Sequence, residues 1–424
     1  MTKNMKRRDF LKMLPIAASI PTLSGCMAYR LARLDLNHPF LRSEIVDSYE
    51  KEAAIVSKAK LSWTDDHKVR VIYLKGTPYE RGYQHGYLLR KEIQDNMGYL
   101  WHQALTKFRS AELFAEGYER MRPFMSQDLL EEMHGLAHGS RLPLSTVHHI
   151  HVLADIGEWG GKKQLGKILM QFLKGELAQT CSNLAASKTA TTDGKMYVVR
   201  MLDWGLHKIS KLHQYPLIAI NVPDKGVPSA NIGWVGYLGA VSGMNAEGIT
   251  LGEMGYRNPP SETLNGEPMP FMLRRVLTET HNLAEVRTLI KDAVGTCSYV
   301  FLMSDGKTGE AELYVKDRNR FLVYKPGEHI KDDKENIPPI ADIVYGGRYN
   351  TILTEQLGSN HGKLTPEKLM ELIPQFAMNS NFQNIIYDPA DLKFWVANAA
   401  SKQQWAAEEP YTKFDFGKAL ASFK

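Results

Sequence analysis

The spacing of apolar residues changes at Cys181, and this change constrains the fold of the chain more than any other feature of the sequence. Before it, after one β-branched run at 69–74, apolar residues recur at helical spacing over 87–108, 129–137 and the segment that follows Pro143. After it, short apolar runs separated by Gly, Asn and Asp predict strands, at 196–199, 217–222, 231–235, 248–251, 300–303, 311–315 and 321–324. We therefore predict helices first and mainly strands afterwards, without a regular repeat and without a membrane-spanning segment.

Helices also interrupt the strand-rich half. Residues 270–280, 283–292 and 366–376 predict helices, and Asn282 and Thr365 are expected to cap the second and the third. Because a sheet needs another layer to cover its apolar face, this order favours an α+β fold with stacked antiparallel sheets and helices on their outer faces. Cys181 is expected to begin a strand at the centre of a sheet.

The first 25 residues predict an export signal rather than part of the fold. Lys6-Arg7-Arg8-Asp9-Phe10-Leu11-Lys12 matches a twin-arginine signal, and Leu23-Ser24-Gly25-Cys26 is typical of a lipoprotein signal-peptidase site, at which Cys26 is acylated. The apolar stretch between them is about half of the length that spans a bilayer, which disfavours the alternative of an anchor helix. We predict a signal peptide over 1–25, a tether over 26–66 with a short helix near 48–60, and one domain over 67–424.

The composition is that of a globular protein, with 43% hydrophobic and 23% charged residues. Most of the formal charge of +5 lies in the signal segment, where five basic residues accompany one acidic residue, so residues 26–424 carry about +1. A near-neutral protein gives no reason to expect nucleic acid as a partner. We predict an exported protein, periplasmic or at the cell surface, that is anchored to a membrane by lipid on Cys26.

Three cysteines occur, Cys26, Cys181 and Cys297. If Cys26 carries lipid, a disulfide could join only the other two, and a catalytic thiol at Cys181 would exclude it. Cys297 shares the flanking Thr and Ser of Cys181 but lacks a downstream Arg-x-x-Asp, so we interpret it as a buried small apolar residue. The partners of Cys181, rather than its immediate neighbours, distinguish the two thiols.

Cys181 has the partners that a cysteine needs to act with its own amino group as base. Arg200 and Asp203 follow it at 19 and 22 residues. A free α-amino group with a pKa of about 7.7–8.0 could accept the proton of a thiol whose pKa is about 8.5. Arg200 would lower the thiol pKa, and Asp203 would orient the amino group. Self-cleavage between Thr180 and Cys181 is therefore the first hypothesis.

The geometry of the strand that carries Arg200 decides whether Arg200 and Asp203 can both reach Cys181. Its alternation places Arg200 and Leu202 on one face and Asp203 beyond the strand end, so the two charged side chains need not point the same way. A bend at Asp203-Trp204 would let both approach the cysteine.

A second candidate element is the segment 241–250, where Asn245-Ala246-Glu247-Gly248 is typical of a hairpin turn. As a functional group, the Asn245 amide or a neighbouring backbone N–H would donate to the oxyanion of a tetrahedral intermediate. The turn and the oxyanion interpretations are compatible with each other.

Together these residues resemble the acyl-coenzyme A:6-aminopenicillanate acyltransferase-like family of self-processing cysteine N-terminal nucleophile (Ntn) hydrolases, which is similar also to the choloylglycine hydrolases and acid ceramidase. The resemblance runs from about residue 69 to the C-terminus. It rests on segments 76–86, Cys181-Ser182, Arg200-x-x-Asp203-Trp204, Gly243-x-Asn245-x-x-Gly248, and 384–389 with 395–397.

The resemblance implies a four-layer αββα sandwich and a precursor cut before Cys181 into an α chain, 26–180, and a β chain, 181–424. It implies Cys181 as nucleophile, Arg200 and Asp203 as its orienting pair, and Asn245 as an oxyanion or substrate contact. The family has a further asparagine and arginine late in the chain, for which Asn350 and Arg348 are the nearest candidates here, although the His that often follows the asparagine is missing. Thr180 stands where some relatives have Gly.

The sequence gives little reason to expect a metal or another cofactor. His148-His149-Ile150-His151 and the pair His134 and His138 lack a convincing third or fourth ligand for zinc. His85 is interpreted as a packing or hydrogen-bonding residue under the site, and Trp204 and Trp234 as core or pocket-wall aromatics. The predicted activity is hydrolysis of a linear amide of a small molecule, or acyl transfer, through a thioester on Cys181. The alternatives are a non-enzymatic surface lipoprotein that binds with the same fold, and an ester or lipid hydrolase with the same nucleophile.

Overall fold

The computed structural model describes residues 45–108, 110–162, 181–208, 210–256, 261–331, 336–347 and 350–423. The predicted signal peptide, the predicted lipidation site Cys26, Thr180 and Arg348 lie outside the described residues.

The described residues before Cys181 form two strands and a series of helices. The short helix α1 (Tyr49–Val56) begins at Ser48, whose hydroxyl accepts from the Lys51 N–H and caps its first turn. The strands are β1 (Lys60–Trp63) and β2 (Arg70–Gly76). The other helices are α2 (Pro78–Leu88), α3 (Arg90–Phe108), α4 (Glu112–Met121), α5 (Gln127–Ser140), α6 (Leu144–His151) and α7 (Leu153–Lys162).

Two features of this first part differ from the sequence-based predictions. β1 pairs with β2 at the edge of a sheet, so residues 49–63, predicted to be tether, belong to the folded unit. Segment 78–88, predicted to lead into a helix, is itself helical: Thr77 and Glu80 form a reciprocal capping box, and Pro78 occupies the first turn.

The part from Cys181 onward is mainly strands, as predicted. The strands are β3 (Ser182–Ala186), β4 (Tyr197–Asp203), β5 (Pro216–Pro223), β6 (Ser229–Trp234), β7 (Ser242–Asn245), β8 (Ile249–Gly255), β9 (Tyr299–Asp305), β10 (Glu310–Lys316), β11 (Phe321–Tyr324), β12 (Ile330–Lys331), β13 (Asn336–Ile337), β14 (Ile343–Gly347), β15 (Asn381–Asp388), β16 (Lys393–Asn398) and β17 (Thr412–Asp415). The helices are α8 (Met269–Glu279), α9 (Leu283–Asp292), α10 (Asn350–Ser359), α11 (Pro366–Leu372) and α12 (Phe416–Ala421). Asn282 caps α9 and Thr365 caps α11, which confirms both predicted caps.

The described strands form two large sheets. Nine strands pair in the order β1-β2-β5-β6-β7-β8-β9-β10-β11, six pair in the order β14-β3-β4-β15-β16-β17, and β12 pairs with β13 alone. The sheets are antiparallel apart from one pair, since β2 and β5 run parallel. Uniformly antiparallel sheets were predicted, and the exception arises because six described helices and two strands of the other sheet lie between β2 and β5, which leaves room for a crossover between parallel strands.

The two large sheets pack face to face with helices outside them. β3 and β4 contact β8, and β10 contacts β14, which brings the inner faces together. α2 covers β2 and β5, while α8 and α9 cover the middle of the nine-stranded sheet; α10 packs against β14 and α12 against β16. This is the α+β sandwich with helices outside two sheets that was predicted.

Helices α2 and α5 lie unusually close together. A Cβ added at Gly82 would overlap the carbonyl oxygen of Glu132, and one added at Gly135 would overlap that of Tyr79. Only glycine allows backbones to approach in this way. Of this pair, α2 contacts β2 and β5, and α5 packs on α2 beside this end of the nine-stranded sheet.

No helix in the described part of the chain combines the length and the apolar character needed to cross a membrane.

Candidate active site

Cys181 directly precedes β3, which is an interior strand of the six-stranded sheet. Ser182 pairs with Met201 of β4 on one side and with Gly347 of β14 on the other. Every residue of β3 is buried, and Cys181 itself is 1% exposed. The predicted strand start is therefore present. However, β3 is second from the sheet edge and not at its centre, because only β14 lies beyond it on that side.

Arg200 lies in β4 and reaches the thiol from between the two sheets. Its guanidinium donates to the backbone oxygens of Met201 at 2.7 Å and Val241 at 3.3 Å, and it hydrogen-bonds the Cys181 thiol. A third contact, at 2.7 Å, joins it to the Glu253 carboxylate. These bonds fix a fully buried cation beside the sulfur.

Glu253 is a member of the site that the sequence-based reasoning missed. It lies in β8, on the opposite sheet, and both it and Arg200 are 1% exposed. A carboxylate that deep is retained only with a paired cation. The signal in the sequence is a charged residue in the middle of an otherwise apolar and small strand, Ile249–Gly255, which a buried strand does not tolerate without a partner.

The thiol in the uncut chain has a raised pKa. Burial is the largest effect and raises the pKa of Cys181 to about 12; Arg200 opposes the rise, whereas the charges of Glu253 and Asp203 add to it. Arg200 thus lowers the thiol pKa as predicted, but burial outweighs it. At neutral pH the sulfur of the intact chain is protonated and not the thiolate nucleophile.

Asp203 is the last residue of β4, and not beyond the strand end as predicted. Its Oδ1 accepts from the Asn381 amide at 2.8 Å and from the Met378 N–H at 3.4 Å. The pairing with β15 is irregular at this point, where the register shifts between Asn381 and Gln383. That irregularity is the kind of local bend that the approach of Arg200 and Asp203 to one cysteine requires.

The side chain of Asn245 is hydrogen-bonded within the β7–β8 hairpin and to the residue that follows α8. Its Nδ2 donates to the Thr280 carbonyl at 2.8 Å, and its Oδ1 accepts from the N–H groups of Glu247 and Ile249. This confirms that the segment is a turn. The oxyanion role of Asn245 stays a prediction, and the bonds that its carboxamide already makes favour a neighbouring backbone N–H over the side chain as the donor.

Asn350 begins α10 and accepts from the Gly347 N–H at 2.9 Å. Because Gly347 pairs with Ser182, Asn350 lies at the end of the β14–β3 pair where Cys181 is. The structure therefore brings this candidate to the correct end of the sheet.

Two motif segments that are far apart in the sequence meet beside Arg200. The Gly243 N–H donates to the Tyr387 hydroxyl at 2.9 Å, and burial raises the pKa of Tyr387. Gly248 has φ +78° and lies against the Pro389 carbonyl oxygen, 2.9 Å from where a Cβ would stand. The Gly248 contact requires glycine, whereas glycine is needed at 243 because an added Cβ would stand 2.8 Å from the Ala230 carbonyl oxygen.

The histidines serve the packing of helices and loops. His85 accepts from the Gly236 N–H at 3.1 Å and His151 accepts from the Leu238 N–H at 2.9 Å; burial lowers their pKa values to about 3 and about 4, so both are neutral. His138 shares a hydrogen bond with the Tyr79 hydroxyl, and His148 stacks on Tyr118. Among the residues that the structure describes, no group of three or more His, Cys, Asp or Glu side chains is arranged to hold a metal ion.

The chain is similar in sequence to proteins of Dictyostelium discoideum. It is 24% identical to Protein dcd1A over 321 residues, which are 66% of this chain and 66% of that protein. It is 22% identical to Protein dcd1B over 364 residues, 76% of this chain and 67% of that protein. The matched part therefore spans about two thirds of the length of these relatives. No protein-family profile matches the chain.

Among solved structures, the chain is similar to an N-acylethanolamine-hydrolyzing acid amidase ortholog from Caenorhabditis elegans. The two are 12% identical, and the match covers 50% of this chain and 93% of that chain with a TM-score of 0.39. A variant of the conjugated bile acid hydrolase from Clostridium perfringens is 9% identical and covers 56% of this chain and 93% of that chain with a TM-score of 0.36. Since both TM-scores lie below 0.5, the fold assignment rests on the layers and strand order described above.

Proposed function

We propose that this chain is a cysteine amidohydrolase or acyltransferase that acts on linear amide bonds through a thioester on Cys181. One observation carries the proposal: the thiol at the start of an interior strand is hydrogen-bonded by a fully buried guanidinium, Arg200, that is itself paired with a buried carboxylate, Glu253. A buried ion pair costs desolvation energy that an apolar pair would avoid, so its presence beside a sulfur indicates chemistry at that sulfur.

The proposed enzyme is activated by cleavage of the Thr180–Cys181 bond. In the uncut chain burial keeps the thiol protonated, with a pKa of about 12. A cut before Cys181 would place a free α-amino group on the same residue, where it accepts the thiol proton near neutral pH. Arg200 would then stabilise the thiolate that forms.

The reaction proceeds in two steps. The Cys181 sulfur bonds to the substrate carbonyl carbon, the carbon–nitrogen bond breaks, and the α-amino group passes the thiol proton to the leaving amine. Water, or an acceptor amine in the case of transfer, then attacks the thioester, and the sulfur leaves as the thiol. Asn350, Asn245 and the backbone around it are the proposed contacts for the oxyanion and the substrate.

We further propose that the protein is exported and anchored by lipid on Cys26. The twin-arginine motif, the short apolar stretch and Leu23-Ser24-Gly25-Cys26 support this proposal. Protein exported by this route is already folded, so cleavage before Cys181 would precede or accompany export.

The test compares wild type with Cys181→Ala and with Cys297→Ala, a matched control that removes a second buried thiol with the same neighbours. Purified protein is given p-nitroanilides and the matched p-nitrophenyl esters of short acyl groups. We expect turnover of anilides by wild type and Cys297→Ala, an acyl adduct on the peptide that begins with Cys181, and no turnover by Cys181→Ala.

The other outcomes identify the alternatives. Turnover of esters alone would indicate an ester or lipid hydrolase. No turnover, together with a Cys181 that does not react with iodoacetamide, would overturn the proposal in favour of a non-enzymatic binding protein, in which the raised thiol pKa simply reflects burial.

A further inference from the structure

Asn183 is a buried polar residue beside the proposed nucleophile that the reaction described above does not use. It lies in β3, is 1% exposed, and neither the nitrogen nor the oxygen of its carboxamide has a hydrogen-bond partner among the residues that the structure describes. Buried carboxamides are almost always hydrogen-bonded, so a carboxamide with both ends unpaired requires an explanation.

The side chain of Asn183 points into the same space as Cys181 and Arg200. Asn183 pairs with Arg200 across β3 and β4. A Cβ added at Gly252 would overlap the Asn183 Oδ1 and would stand 3.1 Å from the Arg200 Cδ, so the carboxamide and the arginine side chain lie together against β8, between the sheets.

The spacing along β3 places Asn183 within reach of a group bound to the Cys181 sulfur. Side chains two residues apart in a strand lie on one face, separated by about 6.7 Å. From the sulfur, the acyl carbon, the carbon next to it, a polar atom on that carbon and one hydrogen bond of about 2.9 Å together span that distance. Ser182, in contrast, lies on the other face and packs against Gly347.

We propose that Asn183 is a substrate-binding residue whose carboxamide hydrogen-bonds a polar group on the carbon next to the acyl carbonyl. This inference rests on the proposed function and extends it to a substrate class: acyl groups with a hydroxyl or acylamino substituent at that carbon, in preference to plain hydrocarbon chains. A hydrocarbon in the same place would leave both ends of a buried carboxamide unpaired, which a site that is built to bind a polar group strongly disfavours.

The test uses two anilides of nearly equal size, glycolyl p-nitroanilide and propionyl p-nitroanilide, which differ by a hydroxyl in place of a methyl. For wild type we expect kcat/KM to be at least about tenfold higher for the glycolyl compound. Asn183→Leu, which keeps the volume and removes the polar atoms, is expected to lose this preference by slowing the glycolyl reaction while still turning over the propionyl compound.

Ser182→Ala is the matched control, because it removes the neighbouring buried hydroxyl that also lacks a partner in the described part of the chain but faces away from the thiol. It is expected to keep the wild-type ratio. If Asn183→Leu does not fold, the wild-type ratio alone decides, since the proposal requires a preference for the glycolyl compound.

Equal kcat/KM values for the two anilides in wild type, or a preference that survives in Asn183→Leu, would overturn this inference and leave the proposed function intact; a buried water would then be the partner of Asn183. Turnover of neither anilide by wild type would overturn this inference, and together with a Cys181 that does not react with iodoacetamide it would overturn the proposed function as well.

Discussion

Arg200 and Glu253 form an ion pair at 2.7 Å across the interface of the two sheets, and each side chain is 1% exposed. Arg200 belongs to β4 and Glu253 to β8, so the pair joins the strand next to Cys181 to the opposite layer. The pair therefore fixes the distance between the sheets at the point where the proposed nucleophile begins its strand.

Replacing Glu253 by Gln should be strongly destabilising. The Arg200 charge would remain buried without its counter-ion, and removal of one partner of a buried pair costs about 3–5 kcal/mol. Urea unfolding of Glu253→Gln measures this loss. Glu371→Gln is the control, because the Lys368–Glu371 pair is more exposed and should contribute at most about 1 kcal/mol. Equal losses in the two variants would show that the buried pair does not hold the sheets.

The close contact of α2 and α5 predicts a sharp difference between two glycines. In Gly135→Ala the new methyl group would overlap the Tyr79 carbonyl oxygen, and we expect a loss of about 1–3 kcal/mol of unfolding free energy as the helices separate. Gly98→Ala in α3 has open space around it, and alanine should stabilise that helix by up to about 1 kcal/mol. Thermal unfolding of both variants checks this, and a tolerated Gly135→Ala would contradict the described packing.

Asn245→Ala should lower stability before it affects chemistry. The substitution removes the hydrogen bonds of the carboxamide to Thr280, Glu247 and Ile249, and one or more buried groups left unpaired cost about 1–3 kcal/mol each. Unfolding free energy and kcat are measured on the same preparation. A variant of unchanged stability with kcat reduced about 10²–10³-fold would instead assign the side chain to the oxyanion.

Asp155 predicts a pH dependence of stability. It is fully buried, its Oδ1 accepts from the Met269 N–H and the Thr296 hydroxyl, and burial raises its pKa to about 7 from an ordinary value of 3.8. The folded state therefore holds a proton that the unfolded state has released between about pH 4 and pH 7, so the contribution of Asp155 to stability falls as the pH rises through this window.

Asp155→Asn should remove this loss of stability with rising pH, because a carboxamide oxygen can accept the same two hydrogen bonds without ionising. We expect the variant to be more stable than wild type at pH 8, by on the order of 2–4 kcal/mol, and close to wild type at pH 4. Denaturant unfolding at the two pH values measures the difference. The same difference at both pH values would show that Asp155 does not titrate in this range.

The predictable part of the fold came from local patterns. The helix caps at Asn282 and Thr365 and the strands around Arg200 follow from turn residues and apolar runs, which act over a few residues. The end of β4 was predicted too early, since the apolar run stops at Val199 and Asp203 was placed beyond the strand, whereas strand limits depend on the pairing partner, here the irregular β15.

The remaining features depend on contacts between distant segments. The parallel pairing of β2 with β5, the approach of α2 to α5 and the partnership of Arg200 with Glu253 each join residues 50 or more positions apart, and no local pattern encodes them. Of the residues that sequence-based reasoning missed, Glu253 could have been predicted most readily, because a carboxylate in a buried strand already implies a cation opposite it.

Intact-mass measurement of the mature protein, with N-terminal analysis of each chain, tests the central claim most directly. The account predicts two chains from wild type, one of which begins at Cys181 and comprises 244 residues, and a single uncut chain from Cys181→Ala. Cys297→Ala should be cut like wild type. A wild-type protein that remains one chain, indistinguishable from Cys181→Ala, would contradict the claim that Cys181 becomes an N-terminal nucleophile.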